Sequence, residues 1–167
     1  MAKSSKFKAR SSVEQRLTKC QRGWNTELWG KKNGATKESP YDRPYSRLKR
    51  GVYVLVRECL ERDLLDVLKE SIEFQFGNKS KVKPSKDNDT NPFYWGLTAV
   101  CGVEDKLPRT SKSRFAQELQ YANMHEVPPE FLVGFIYQIG SSKDLQHKID
   151  NVEMQHWFAK RQKSAAA

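Results

Sequence analysis

Apolar residues recur at three- and four-residue intervals over much of this chain. Tyr53, Val56, Leu60, Leu64, Val67 or Leu68, and Ile72 carry that period across 45–76, which predicts helix. The run VYVLV could be a strand by itself, but the pattern continues through LLDVLKESI and favours helix. Asp63 as a cap divides the stretch into two helices near Arg62. Asn91-Pro92 suits an N-cap followed by a first-turn proline, and Phe93, Leu97, Val100 and Cys101 follow on one face. Gly96 and the β-branched residues leave a strand open there.

The last third has the clearest punctuation. Ser111 or Ser113 opens a helix with Phe115, Leu119 and Ala122 on its face, and Val127-Pro128-Pro129 forms a sharp turn. Phe131, Leu132, Phe135, Ile136 and Ile139 then make a strongly apolar helix ended by Gly140. Ser141 with Asp144 begins a final helix through Leu145, Ile149, Val152 and Trp157.

The N-terminal end reads differently. Residues 1–10 lack an apolar period and are expected to be disordered. Ser11 and Glu14 form a capping-box pattern, and Gly23 is a stop. Within that helix Val13, Leu17 and Cys20 line a narrow apolar seam, while Arg16, Lys19 and Arg22 line a basic stripe. From Trp24 to Pro44 the chain is rich in turn formers and reads as a loop, with Trp24, Trp29 and Tyr41 in it. Residues 77–91, GNKSKVKPSKDNDTN, read as a polar lysine-rich loop. The expected fold is mainly α: a compact helical domain of five to seven helices with a basic, partly disordered N-terminal arm. Residues 1–51 form the arm, short helix and aromatic loop, and 52–164 form the helical core. Ala165-Ala166-Ala167 resembles a cloning scar.

Charge sharpens this division. Residues 1–51 hold fourteen Lys and Arg against four acids, whereas 52–167 hold sixteen against sixteen. The whole net charge of +10 therefore lies in the first third. Pooled positive charge of this kind is suited to a polyanion. The longest apolar run is too short for a membrane span, so no membrane partner is expected. No apolar signal region follows the N-terminus, which argues against secretion, and Cys20, Cys59 and Cys101 form no paired framework. A cytoplasmic or nucleoid-associated protein fits these features. MAKSSKFKARSS is also basic and free of acids, as transit peptides are, although Phe7 is its only large apolar residue.

The candidate nucleic-acid contacts follow from the charge map. Arg16, Lys19, Arg22, Lys31, Lys32, Arg43, Arg47, Lys49 and Arg50 are candidate phosphate ligands. Lys79, Lys81 and Lys83 of the polar loop could track a backbone as point charges. Trp24 and Trp29 lie among these cations and are candidate stacking residues for unpaired bases. The acid-rich stretch from Arg57 to Phe76 would repel nucleic acid, which places the binding surface elsewhere.

Other chemistries have thinner support. Residues 113–139 have the lengths of a helix-turn-helix, but FLVGFIYQI offers few polar side chains for base edges and suits a buried hairpin. His125, His147, His156 and the cysteines lack metal-ligand spacing. Glu104-Asp105-Lys106, with Asp87 and Asp89 upstream, is the one arrangement a metal-dependent nuclease could use. There is no G-x-S-x-G elbow and no phosphate-cradling glycine loop. The expected function is thus non-enzymatic binding of nucleic acid, DNA ahead of RNA, as an accessory factor or small subunit of a nucleoprotein complex. No cofactor is expected. The alternatives are an adaptor or homodimer using exposed apolar C-terminal helices, and a metal-dependent nuclease.

Overall fold

The computed structural model describes residues 2–30, 39–77, 91–103, 107–139 and 145–154. These form seven helices and, among the described residues, no strand: α1 (Ala2–Gly30), α2 (Pro44–Arg62), α3 (Leu65–Phe76), α4 (Pro92–Cys101), α5 (Arg109–Met124), α6 (Leu132–Ile139) and α7 (Leu145–Asp150). The mainly helical class read from the apolar period is the class observed. The lysine-rich loop lies outside the described residues, apart from its ends at Gly77 and Asn91.

Helix α4 is the hub. Eight of its ten residues are buried, and α1, α2, α3 and α5 all pack on it. Its start is the one the sequence indicates: the Asn91 side chain accepts from the Phe93 N–H at 2.9 Å, with Pro92 in the first turn. Gly96 sets the approach to α2. A Cβ there would meet Val56 Cγ2 far inside contact distance and Val52 Cγ1 at 3.0 Å. The break between α2 and α3 also falls where expected, but Asp63 ends α2 rather than capping α3. It takes the left-handed conformation (φ 54°), and the Leu64 N–H closes back on the Cys59 carbonyl at 2.9 Å, a C-terminal turn of the Schellman kind.

The N-terminal boundaries differ from those read in the sequence. The helix begins before Ser11 and runs through Gly23 to Gly30, so residues 7–10 and 24–30 are helical rather than disordered or looped. A glycine inside a helix costs only about 1 kcal/mol, and tertiary contacts outweigh it here. Val13, Leu17 and Trp24 are buried against α2 and α4, with Cys20 packed at their edge. Arg10 meets Glu14 on its own helix and reaches Asp66 and Glu70 on α3. The Gln21 side chain donates to the Ala99 carbonyl of α4 at 2.9 Å. The basic segment is therefore built into the core.

Two smaller boundaries also move. Helix α5 starts at Arg109, ahead of Ser111 and Ser113, and α7 ends at Asp150 rather than continuing through Val152, which adopts φ 51°. Trp157 lies outside the described residues. Leu132, Val133, Phe135 and Ile139 of α6 are buried, so one face of the apolar run at 131–139 belongs to the core while Phe131 and Tyr137 are exposed.

Candidate functional site

Helices α1 and α2 can approach closely because Gly51 has no side chain: a Cβ there would sit 3.2 Å from Cys20 Sγ. Cys20 and Gly51 also line a cleft of about 560 Å³ between the two helices. Arg16 and Lys19 line it from α1, Arg47 and Arg50 from α2, and Trp24 and Tyr41 contribute ring surface. Glu130 is the single carboxylate in the lining. The cleft thus combines a net positive rim with apolar walls, and oxyanions are the ligands that such a rim attracts. No acid stands in the first turn of α2, and no side chain caps it, so the positive end of that helix dipole adds to the same field.

The cations do not have equal roles. Arg16 donates from Nε to Glu58 Oε2 at 2.5 Å, and Ser12 donates to the other oxygen at 3.1 Å. Arg62 pairs with Glu58 from its own helix at 3.1 Å. Burial alone would raise the Glu58 carboxyl, but Arg16, Ser12 and Arg62 outweigh it and hold the group below the usual carboxylate range. Arg16 is still 43% exposed, so it fastens α1 to α2 while part of its guanidinium faces the cleft. Arg50 lies over the Tyr41 ring, 3.6 Å from its centroid, and donates to the Tyr41 carbonyl at 3.0 Å. Those two contacts hold the guanidinium against Tyr41, which lines the cleft. Lys19, Arg22 and Arg43 are exposed, and Arg47 is half-buried.

Two of the sequence-derived contacts are corrected by the packing. Trp24 is 7% exposed, with its ring 6.3 Å from that of Tyr45, so it is a core residue with an edge on the cleft and not a stacking platform. The period that buries Val13 and Leu17 also buries position 24. Lys49 is the second case: its side chain is 13% exposed and its ammonium pairs with Glu118 Oε2 at 2.6 Å. Burial lowers the affinity of Lys49 for its proton even beside that carboxylate, and the ammonium also caps the Phe115 ring at 4.0 Å. Lys49 therefore ties α2 to α5 and is not available to a ligand. Lys31, Lys32, Lys79, Lys81 and Lys83 lie outside the described residues, as does the side chain of Trp29.

The acid-rich stretch from Arg57 to Phe76 faces the basic helix. Glu58, Asp66 and Glu70 receive Arg16 and Arg10, so part of the N-terminal charge is neutralised inside the molecule. Glu104, Asp105, Lys106, Asp87 and Asp89 lie outside the described residues, and among those described no three His, Cys, Asp or Glu gather as a metal cage. Burial pushes the Cys59 thiol up to about 12 and raises Cys20 against the pull of Arg16 and Lys19, which leaves both thiols protonated at neutral pH. No helix among the described residues is long and apolar enough to cross a membrane.

A second, smaller cavity of about 330 Å³ lies on the other side of the first turns of α2, bounded by α5 and α6. Tyr45 and Tyr137 line it, together with Arg43 and Arg114. The sequence reading did not select Tyr137 or Arg114. Tyr137 falls in an apolar helix, and only the packing shows that it points away from the core. Neither the family models, nor the curated proteins, nor the solved structures yield a match to this chain.

Proposed function

We propose that this protein binds nucleic acid without catalysis, DNA in the first instance, by seating the phosphate backbone in the α1–α2 cleft. The observation that carries this reading is the cleft lining, in which Lys19, Arg47 and Arg50, with Arg16 already paired to Glu58, face one lining carboxylate, Glu130. Guanidinium groups pair bidentately with phosphate oxygens, and Lys19 adds a mobile point charge. Contacts of this kind fix register on a backbone and carry no base code. A role as a small subunit or accessory factor of a nucleoprotein complex follows from affinity with little sequence selection.

A salt titration tests it, with duplex DNA, single-stranded DNA and RNA of matched length bound to the full chain. Wild type should bind with a steep negative slope of log affinity against log salt. Lys19→Ala and Arg47→Ala should each flatten the slope by about one unit on every sequence alike. Lys49→Met removes a cation committed to Glu118 and should leave the slope unchanged. No binding to any of the three polymers at low salt refutes the reading. Loss of affinity for one sequence only refutes the phosphate-contact mechanism.

A further inference from the structure

Burial removes Trp24 from the role of base platform, and the second cavity offers a better one. Tyr45 is 48% and Tyr137 60% exposed, and both line the groove between α2, α5 and α6. A concave site that combines aromatic and apolar side chains with a few polar groups is the usual form of a ligand seat. Tyr45 is held in place by an edge-on contact with Phe115, ring centroids 5.5 Å apart. Val133 and Ile136 supply the apolar floor. Arg43 and Arg114 line the same groove, while Lys49 and the one carboxylate of the lining, Glu118, stand there as a buried pair. That carboxylate is already engaged by Lys49 at 2.6 Å and Arg114 at 3.6 Å. The occupant such a groove complements is flat, aromatic and attached to negative charge.

We infer that this groove seats an unpaired nucleobase between Tyr45 and Tyr137, with the adjoining phosphate facing Arg43 and Arg114. The inference rests on the proposed binding of nucleic acid and specifies its form: a single strand in preference to a duplex. The first turns of α2 separate the groove from the α1–α2 cleft. Pro44, Arg47 and Gly51 face one cavity, and Arg43, Ser46 and Lys49 face the other. One strand crossing a helix about 10 Å wide can lay phosphates in the cleft and turn a base into the groove. A base locked in a duplex has no face to offer the tyrosines.

The test compares wild type, Tyr137→Ala and Tyr137→Phe, each as the full chain, on three probes: a single-stranded oligonucleotide, an abasic strand of equal length, and a duplex. Tyr137 is exposed, so melting temperatures should agree across the three proteins. Tyr137→Ala should lower single-strand affinity by about fivefold to a hundredfold, the range for losing one base–ring stack. Affinity for the abasic strand and the salt slope should not change, and Tyr137→Phe, which keeps the ring, should bind as wild type does. If wild type binds strands and Tyr137→Ala binds them equally well, the base seat is refuted while the phosphate cleft stands. An equal loss on the abasic strand refutes it too. Failure of wild type to bind any probe overturns the cleft and the base seat together.

Discussion

Deleting residues 1–22 is the sharpest perturbation available, because a dispensable basic arm and a core helix give opposite results. The deletion removes Val13 and Leu17, both buried in the main core. Full burial of a Val or Leu side chain contributes roughly 1.5–3 kcal/mol, so the pair accounts for about 3–6 kcal/mol. It also takes Ser12 and Arg16 from Glu58, leaving that buried carboxylate with Arg62 as its remaining partner of the three. Loss of those partners adds about 1–3 kcal/mol. The combined loss, about 4–9 kcal/mol, is comparable with the total of about 5–15 kcal/mol that holds a typical domain together. At about 2–4 °C per kcal/mol for a chain of this length, the melting temperature should fall by about 8 °C or more, or the truncated protein should fail to fold. Thermal unfolding followed by far-ultraviolet circular dichroism reads this directly. Leu17→Ala alone should account for about 2–5 kcal/mol of the effect. A truncated chain that melts within about 2 °C of the full protein would refute the placement of α1 in the core. The expected outcome also means that truncation cannot separate binding from folding, so the basic residues have to be changed singly.

Two further predictions concern the frame around the cleft. Gly96→Ala should destabilise even though alanine is the better helix former by about 1 kcal/mol. The new Cβ collides with Val52 and Val56 of α2, and overpacking of that kind costs about 1–3 kcal/mol. A urea titration showing Gly96→Ala at or above wild-type stability would contradict the close approach of α4 and α2. Glu58→Gln addresses the α1–α2 clamp. The folded-state value of this carboxyl is depressed below its ordinary 4.5, so its stabilisation is present above that pH and is lost as pH falls through the lower, folded value. Glu58→Gln should therefore be less stable than wild type at neutral pH by about 1–3 kcal/mol, and the gap should close in acid. A gap independent of pH between neutral and strongly acidic buffer would exclude an ionic clamp.

The helical class, the Asn91 cap with its first-turn proline, and the break after Arg62 were legible in the sequence. Each rests on interactions between residues a few positions apart. Apolar period, capping side chains and fixed proline φ angles act locally, and no distant partner alters them. The core character of FLVGFIYQI was legible for the same reason, since one strongly apolar helix face needs cover wherever it sits.

The ends of α1 and the surroundings of each basic residue were not legible. Gly23 resembles a stop until α2 and α4 offer Trp24 a place to pack. Arg16, Lys49 and Lys19 are alike as letters in a basic stretch. Their roles differ because Glu58 reaches the first from forty-two positions away, Glu118 neutralises the second, and the third faces open solvent. Tyr137 is one apolar residue among many until the packing of α6 turns it outward. The sequence alone determined the helices and the sign of the charge, because both depend on local period and on composition. Tertiary structure decided which cations are buried in ion pairs and which rings face solvent, because burial and ion pairing depend on residues far apart in the chain.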